Sequence, residues 1–114
     1  MKTDAFELSL LYDCYAETLT EKQRICFDLY YNQDFSLSEI AAESGISRQG
    51  VHDTLARTET ALRTLEAQLG CVRKNRLLRS AASRLTALAG DLQQRGNEAD
   101  ASEILDAVAL IETD

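Results

Sequence analysis

The stretch SLSEIAAESGISRQGVHDTL, Ser36 to Leu55, decides the fold. Ser36 and Glu39 have the spacing of a capping box, in which the serine hydroxyl and the glutamate carboxylate each satisfy an orphan backbone N–H at a helix start. A helix is therefore expected from Leu37, with Leu37, Ile40 and Ala41 on one face. Gly45 ends it, where a left-handed backbone carries no Cβ strain. Ile46 plugs the turn and Ser47 caps a second helix. Val51 and Leu55, four residues apart, then face back toward Ile40 and Ala41. Two short helices joined by a glycine turn, with small and branched residues where they cross, make a helix-turn-helix.

Working upstream, Leu8, Leu11, Tyr12, Tyr15 and Leu19 recur at helical spacing, widened by Phe6, Leu10 and Cys14. This predicts an amphipathic helix over 6–19. Thr20 and Gln23 repeat the capping-box spacing and predict a helix from Glu21 to Asn32, with Ile25, Leu29, Cys26 and Tyr30 inward. A loop over 32–35 leads into the central motif. Downstream, Thr58, Leu62, Leu65 and Leu69 continue the series begun at Val51 and Leu55, a heptad-like seam on one long helix ending at Gly70. A fifth helix is expected over Val72–Gln94, with Leu78, Ala81, Leu85, Leu88 and Leu92 at alternating spacings of three and four. Gly96 and Asn97 mark a stop and a new cap. The last helix, about Glu98 to Glu112, turns Ala101, Ile104, Leu105, Val108 and Ile111 toward an apolar neighbour.

The expected class is all-α: the 114 residues contain no proline and only 5 glycines, so long helices run uninterrupted. The length fits a helix-turn-helix domain over 1–70. Residues 71–114 then form a helical extension for dimerisation or partner binding. The formal charge is -7, which argues against holding nucleic acid by bulk charge alone. That charge is uneven. Residues 61–96 carry 7 basic and 2 acidic side chains, whereas residues 97–114 carry 6 acidic and no basic ones. The 3 cysteines, Cys14, Cys26 and Cys71, lack the short spacing of a zinc or redox motif and read as small apolar residues in a reducing cytosol. The first ten residues lack the features of a signal peptide, and no apolar run is long enough to span a membrane. With one histidine, no clustered ligands and no glycine-rich phosphate loop, neither an enzyme nor a cofactor, metal or small-molecule substrate is expected.

In a helix-turn-helix the start of the second helix enters the major groove. The candidate nucleic-acid contacts are therefore Ser47, Arg48, Gln49, His52 and Arg57. Arg48 suits guanine edges and Gln49 adenine, while Ser47 and Arg57 suit phosphates. Asp53 is an awkward neighbour for phosphate. Only Arg48 and Arg57 oppose Glu39, Glu43, Asp53 and Glu59 over residues 36–60, so weak intrinsic affinity for DNA is expected. Arg73, Lys74, Arg76, Arg79 and Arg84 fall within twelve positions on the fifth helix. They read either as a solvated face or as a surface for RNA phosphate or an acidic protein.

The run from Leu11 to Gly70 resembles the YlxM family of small bacterial proteins, whose helix-turn-helix is similar to region four of sigma factors. The residues that carry the likeness are Leu19 to Arg24, Leu29-Tyr30-Tyr31, Ser36-Leu37 with Glu39-Ile40-Ala41, and Gly45 to Gln49. The remainder is similar only in being helical and charged. The resemblance implies winged-helix-like, sigma region-four-like character for residues 1–70, a gene beside those of the signal recognition particle and its receptor, a regulatory or accessory role in protein targeting, and pairing of protomers through the later helices. It carries over no catalytic residues. Gly50 stands where the family usually has alanine, weakening the recognition helix by about 0.5–1 kcal/mol. His52 stands where a tyrosine is common.

Three readings follow. The first is a cytoplasmic accessory protein of the signal recognition particle pathway that binds the targeting GTPase, its RNA or both, as a homodimer. The second is a sequence-specific DNA-binding regulator using Ser47 to Arg57. The third is a structural interaction module on an inherited scaffold.

Overall fold

The computed structural model describes residues 4–112. In chain order it comprises α1 (Ala5–Tyr15), a 3-10 turn (Ala16–Thr18), α2 (Glu21–Phe27), a π turn (Asp28–Asn32), α3 (Leu37–Ser44), α4 (Arg48–Leu69), α5 (Cys71–Gln94) and α6 (Glu98–Glu112). The class is all-α with a helix-turn-helix at its centre. No strand occurs among the described residues, so the winged-helix likeness has no wing. The chain divides into two units, one reaching Val72 and the other beginning at Arg73.

Local chemistry sets the helix boundaries in the first unit. The Thr20 hydroxyl accepts from the Gln23 N–H at 3.1 Å, and Gln23 Oε1 accepts from the Thr20 N–H at 3.0 Å. Ser36 and Glu39 make the same reciprocal pair at 3.0 and 2.9 Å. Their backbone hydrogen bond holds the Glu39 carboxyl below its ordinary pKa. Gly45 adopts φ 69° and stops α3, and Gly70 adopts φ 63° and stops α4.

The spine of this unit is α4, which passes two apolar clusters. Near its start, Val51 and Leu55 are buried with Cys26 of α2 and Ile40 of α3. Further along, Leu62 is buried with Leu8, Leu11, Tyr15, Leu19 and Phe27. Thr58 is fully buried between them, and its hydroxyl donates to the Thr54 carbonyl at 2.7 Å, so a polar group sits in the seam without an unmet hydrogen bond.

Three expectations in this unit need correction. Ile25, expected inward, is exposed; Cys26 is buried as expected, and beside it Phe27, not among the expected inward residues, is buried too. Phe27 stacks on Tyr12 of α1 with ring centroids 4.3 Å apart and meets Tyr31 at 4.6 Å, so aromatic packing sets the rotation of α2. The helix expected to run regularly to Asn32 instead widens into a π turn. The Asp28 carboxylate staples it, accepting from Asn32 at 2.9 Å and Gln33 at 2.7 Å. That turn leaves Tyr31 packed against both clusters. Leu69, the last residue of the expected seam, is 54 % exposed because the buried line on α4 ends earlier, at Leu62.

A hydrogen-bonded corner joins α4 to the first turn of α5. The Tyr15 hydroxyl donates to Glu66 Oε1 at 2.8 Å and accepts from the Cys71 N–H at 3.0 Å. The same Oε1 accepts from the Val72 N–H at 3.0 Å. Two orphan donors of a helix start are thus met by side chains from α1 and α4. Burial, reinforced by the Glu66 hydrogen bond, raises the pKa of Tyr15.

In the second unit, α5 ends at Gly96, φ 84°, where the Asn97 N–H reaches the Leu92 carbonyl at 2.9 Å and the Gly96 N–H the Gln93 carbonyl at 3.1 Å. This pair of bonds is the Schellman arrangement. The buried residues are Ala82 and Ala89 on α5 and Ala101 and Val108 on α6, each pair seven apart. The buried face of α5 runs through Ala82 and Ala89, with Leu85 and Leu92 of the expected stripe half-buried beside them; it is turned by roughly 40° from that stripe, leaving Leu78, Ala81 and Leu88 exposed. Small side chains occupy the most enclosed positions, and the leucines stand beside them. On α6 the expected face is retained: Ile104, Leu105 and Ile111 are half-buried beside Ala101 and Val108.

Candidate nucleic-acid interface

The candidate surface is built on the first turns of α4. Ser47 has extended backbone, φ -71° and ψ 156°, and its hydroxyl accepts from the Gly50 N–H at 2.9 Å. This is an N-cap that fixes where the helix starts. A Cβ at Gly50 would lie 3.1 Å from that same Ser47 oxygen, so the glycine admits a close cap as well as weakening the helix. Behind the surface, Val51, Thr54 and Leu55 are buried, and the Thr54 hydroxyl donates to the Gly50 carbonyl at 2.8 Å. The helix is therefore anchored by one face.

The opposite face is in solvent. Ser47, Arg48, Gln49, His52 and Arg57 are all exposed. Gln49 Nε2 donates to Asp53 Oδ1 at 3.0 Å, and His52 Nδ1 lies 3.6 Å from the same oxygen. Four-residue spacing makes this pairing available on one helix face, so Asp53 orients Gln49 as well as repelling phosphate. Among the described residues no ion pair engages Arg48 or Arg57. Arg63, two turns further along, is instead clamped by Asp4 at 3.1 Å, Glu7 at 3.3 Å and Glu59 at 3.3 Å. Its charge is committed to holding α1 against α4.

Arg73, Lys74, Arg76, Arg79 and Arg84 belong to the second unit and are all exposed on α5. At about 100° per residue they spread over more than half the circumference of α5, with Lys74 and Arg79 bordering the line of Ala82 and Ala89 on either side. Arg95, by contrast, pairs with Asp91 at 3.0 Å.

Cys26 is fully buried, and that burial pushes its thiol pKa up, the condition of an unreactive cysteine. Cys14 and Cys71 are half-buried at the edge of the cluster around Leu62. Among the described residues no group of three or more histidine, cysteine or carboxylate side chains is placed to hold a metal ion. No helix among them is long and apolar enough to cross a membrane.

The comparisons agree with this architecture. A family described as "Putative helix-turn-helix protein, YlxM / p13 like" matches residues 2–102, well beyond the span from Leu11 to Gly70. UPF0122 protein Teth514_1714 of Thermoanaerobacter sp. (strain X514) is 36% identical over 109 residues, covering 96% of this chain and 93% of that protein. UPF0122 protein STH1464 of Symbiobacterium thermophilum is 37% identical over 108 residues, covering 95% and 94%. UPF0122 protein TTE1463 of Caldanaerobacter subterraneus subsp. tengcongensis is 48% identical over a shorter span of 75 residues, 66% of this chain and 64% of that protein. No solved structure matches the chain. A cap-and-glycine corner, a long second helix anchored by one face, and a family match over nearly the whole length lead to one conclusion: the chain belongs to the UPF0122 family of YlxM-like helix-turn-helix proteins.

Proposed function

We propose that this protein is a cytoplasmic regulator that binds duplex nucleic acid with the outward face of α4 in the major groove. The observation that carries the reading is the division of α4 into an anchored face and a bare one. Val51 and Leu55 are sealed against α2 and α3, while Ser47, Arg48, Gln49, His52 and Arg57 point to solvent. The charge available is small. With Arg48 on a guanine edge, one cationic phosphate contact, through Arg57, gives a salt dependence of about -1 in log K against log salt, the mark of a weak binder.

A second reading is favoured by the exposed basic side chains of α5 and by the family resemblance. In it the protein is an accessory of the signal recognition particle pathway, with the particle's RNA or its GTPase docking on Arg73, Lys74, Arg76, Arg79 and Arg84. Five such contacts to single-stranded RNA give a salt slope of roughly -3 to -4. Leu77, Leu88 and Leu110, all exposed in the second unit, supply an apolar surface for pairing two protomers.

Paired substitutions separate these readings. Loss of duplex binding in Arg48→Ala with Gln49→Ala, and its retention in Arg76→Ala with Arg79→Ala, supports the regulator. Loss of binding to the particle RNA only in the second pair supports the targeting role. A protein that retains neither nucleic acid nor the GTPase in a pull-down is an interaction module. Sedimentation as a monomer at micromolar concentration removes the dimer.

A further inference from the structure

We infer that Asp53 determines specificity on the α4 face, selecting DNA whose major groove presents an exocyclic amino group, cytosine N4 or adenine N6, beside an adenine read by Gln49. The inference rests on the duplex reading proposed above. Arg48 and Arg57 are nine residues apart, which at about 100° per residue places them half a turn from each other around the helix. They flank the exposed face, about 13 Å apart along the axis, and its middle carries Gln49, His52 and Asp53. A carboxylate in that position repels phosphate and lowers affinity for every sequence, so its contribution there is discrimination.

The Gln49–Asp53 hydrogen bond defines what the pair offers. An ionised carboxylate only accepts, so the Gln49 amide is oriented with Nε2 toward Asp53 Oδ1, at 3.0 Å, and with Oε1 turned away from it. Gln49 keeps one N–H and its oxygen, the donor and acceptor that adenine N7 and N6 require. Asp53 keeps Oδ2, an acceptor on a side chain that is half exposed. In the major groove the complementary donors are the amino groups of cytosine and adenine, whereas guanine O6 and thymine O4 present lone pairs to a carboxylate. The pair thus reads two neighbouring bases as one hydrogen-bonded unit, with Asp53 limiting the rotamers of Gln49.

The test is selection from a randomised duplex pool with the full chain and with Asp53→Asn, at low salt, with circular dichroism confirming that both are folded. Asparagine keeps an acceptor for Gln49, so helix geometry is retained. The wild type is expected to enrich adenine next to cytosine or adenine, with roughly 5- to 150-fold discrimination at the Asp53 position. Asp53→Asn is expected to bind random duplex more tightly and to lose selectivity at that position alone. Gln49→Ala is expected to lose the adenine and leave the salt slope unchanged. An unaltered consensus in Asp53→Asn overturns the inference while leaving duplex binding intact. Failure of both folded proteins to retain any duplex overturns the duplex reading itself, and this inference with it.

Discussion

Replacing Tyr15 by phenylalanine tests how the helix-turn-helix unit is closed. The substitution preserves the ring buried beside Leu11 and Leu62 and deletes one oxygen. That oxygen donates to Glu66 Oε1 at 2.8 Å and accepts from the Cys71 N–H at 3.0 Å. Without it the Cys71 N–H loses this acceptor at the first turn of α5, and Glu66 loses the hydroxyl donor while retaining the Val72 N–H at 3.0 Å. A hydrogen bond to a charged partner is worth about 1.5–3 kcal/mol net, so the expected loss is about 2 kcal/mol. For a unit of this size that lowers the melting temperature by roughly 10 °C. Urea denaturation followed by circular dichroism, with Glu66→Ala and the double variant, completes a cycle in which a coupling of about 1 kcal/mol or more is expected. The pH dependence supplies an independent readout. The folded pKa of Tyr15 is raised above its ordinary value of 10.0, first by burial and then by Glu66. The contribution is therefore fully present below pH 10.0 and lost as pH rises through the folded value. Tyr15→Phe should show a shallower alkaline loss, with the remainder carried by the Cys26 thiol, whose pKa burial raises, and by Tyr31, whose pKa burial pushes up to about 12. Stability unchanged within about 0.5 kcal/mol, or additive single variants, would refute the argument.

Other outcomes follow from the same packing. Leu62→Ala should cost about 2–5 kcal/mol and Leu69→Ala no more than about 0.5 kcal/mol, measured by chemical denaturation, although both residues lie on one heptad-like series. Gly50→Ala should gain less than the roughly 0.5–1 kcal/mol of helix propensity, because the new Cβ presses on the Ser47 hydroxyl, and should recover the full gain in a Ser47→Gly background. A loss greater than about 1 kcal/mol in the wild-type background would mean that Ser47 has no room to move. The Glu39 carboxyl titrates below its ordinary value, so its contribution is present above the unfolded pKa and disappears as pH falls through the folded one. Glu39→Gln, which keeps an acceptor for Ser36, should flatten that part of the acid unfolding curve.

The local part of the candidate site was legible because its signals lie within a few residues of one another. Ser36 with Glu39, Gly45 and Ser47 each act through one backbone N–H or one permitted φ, and helical geometry then carries Arg48, Gln49, His52 and Arg57 outward. The pairing of Gln49 with Asp53 was equally local, yet both side chains also had solvent as an alternative partner, so spacing alone did not select it. The fit of Gly50 against Ser47 depended on a distance of 3.1 Å that helix propensity does not contain.

By itself the sequence determined the all-α class, the order of the helices, the corner at Gly45 and the exposed set on α4, since caps, glycine and apolar periodicity are short-range properties of the chain. Only the tertiary structure decided which members of each apolar series are buried: Phe27 rather than Ile25, Leu62 rather than Leu69, Ala82 and Ala89 rather than Ala81 and Leu88. It also decided the corner where Tyr15 meets Glu66 and Cys71, residues 51 and 56 positions away. Burial and long-range hydrogen bonds depend on what another helix brings to the same place, and periodicity along one helix carries no information about its neighbour.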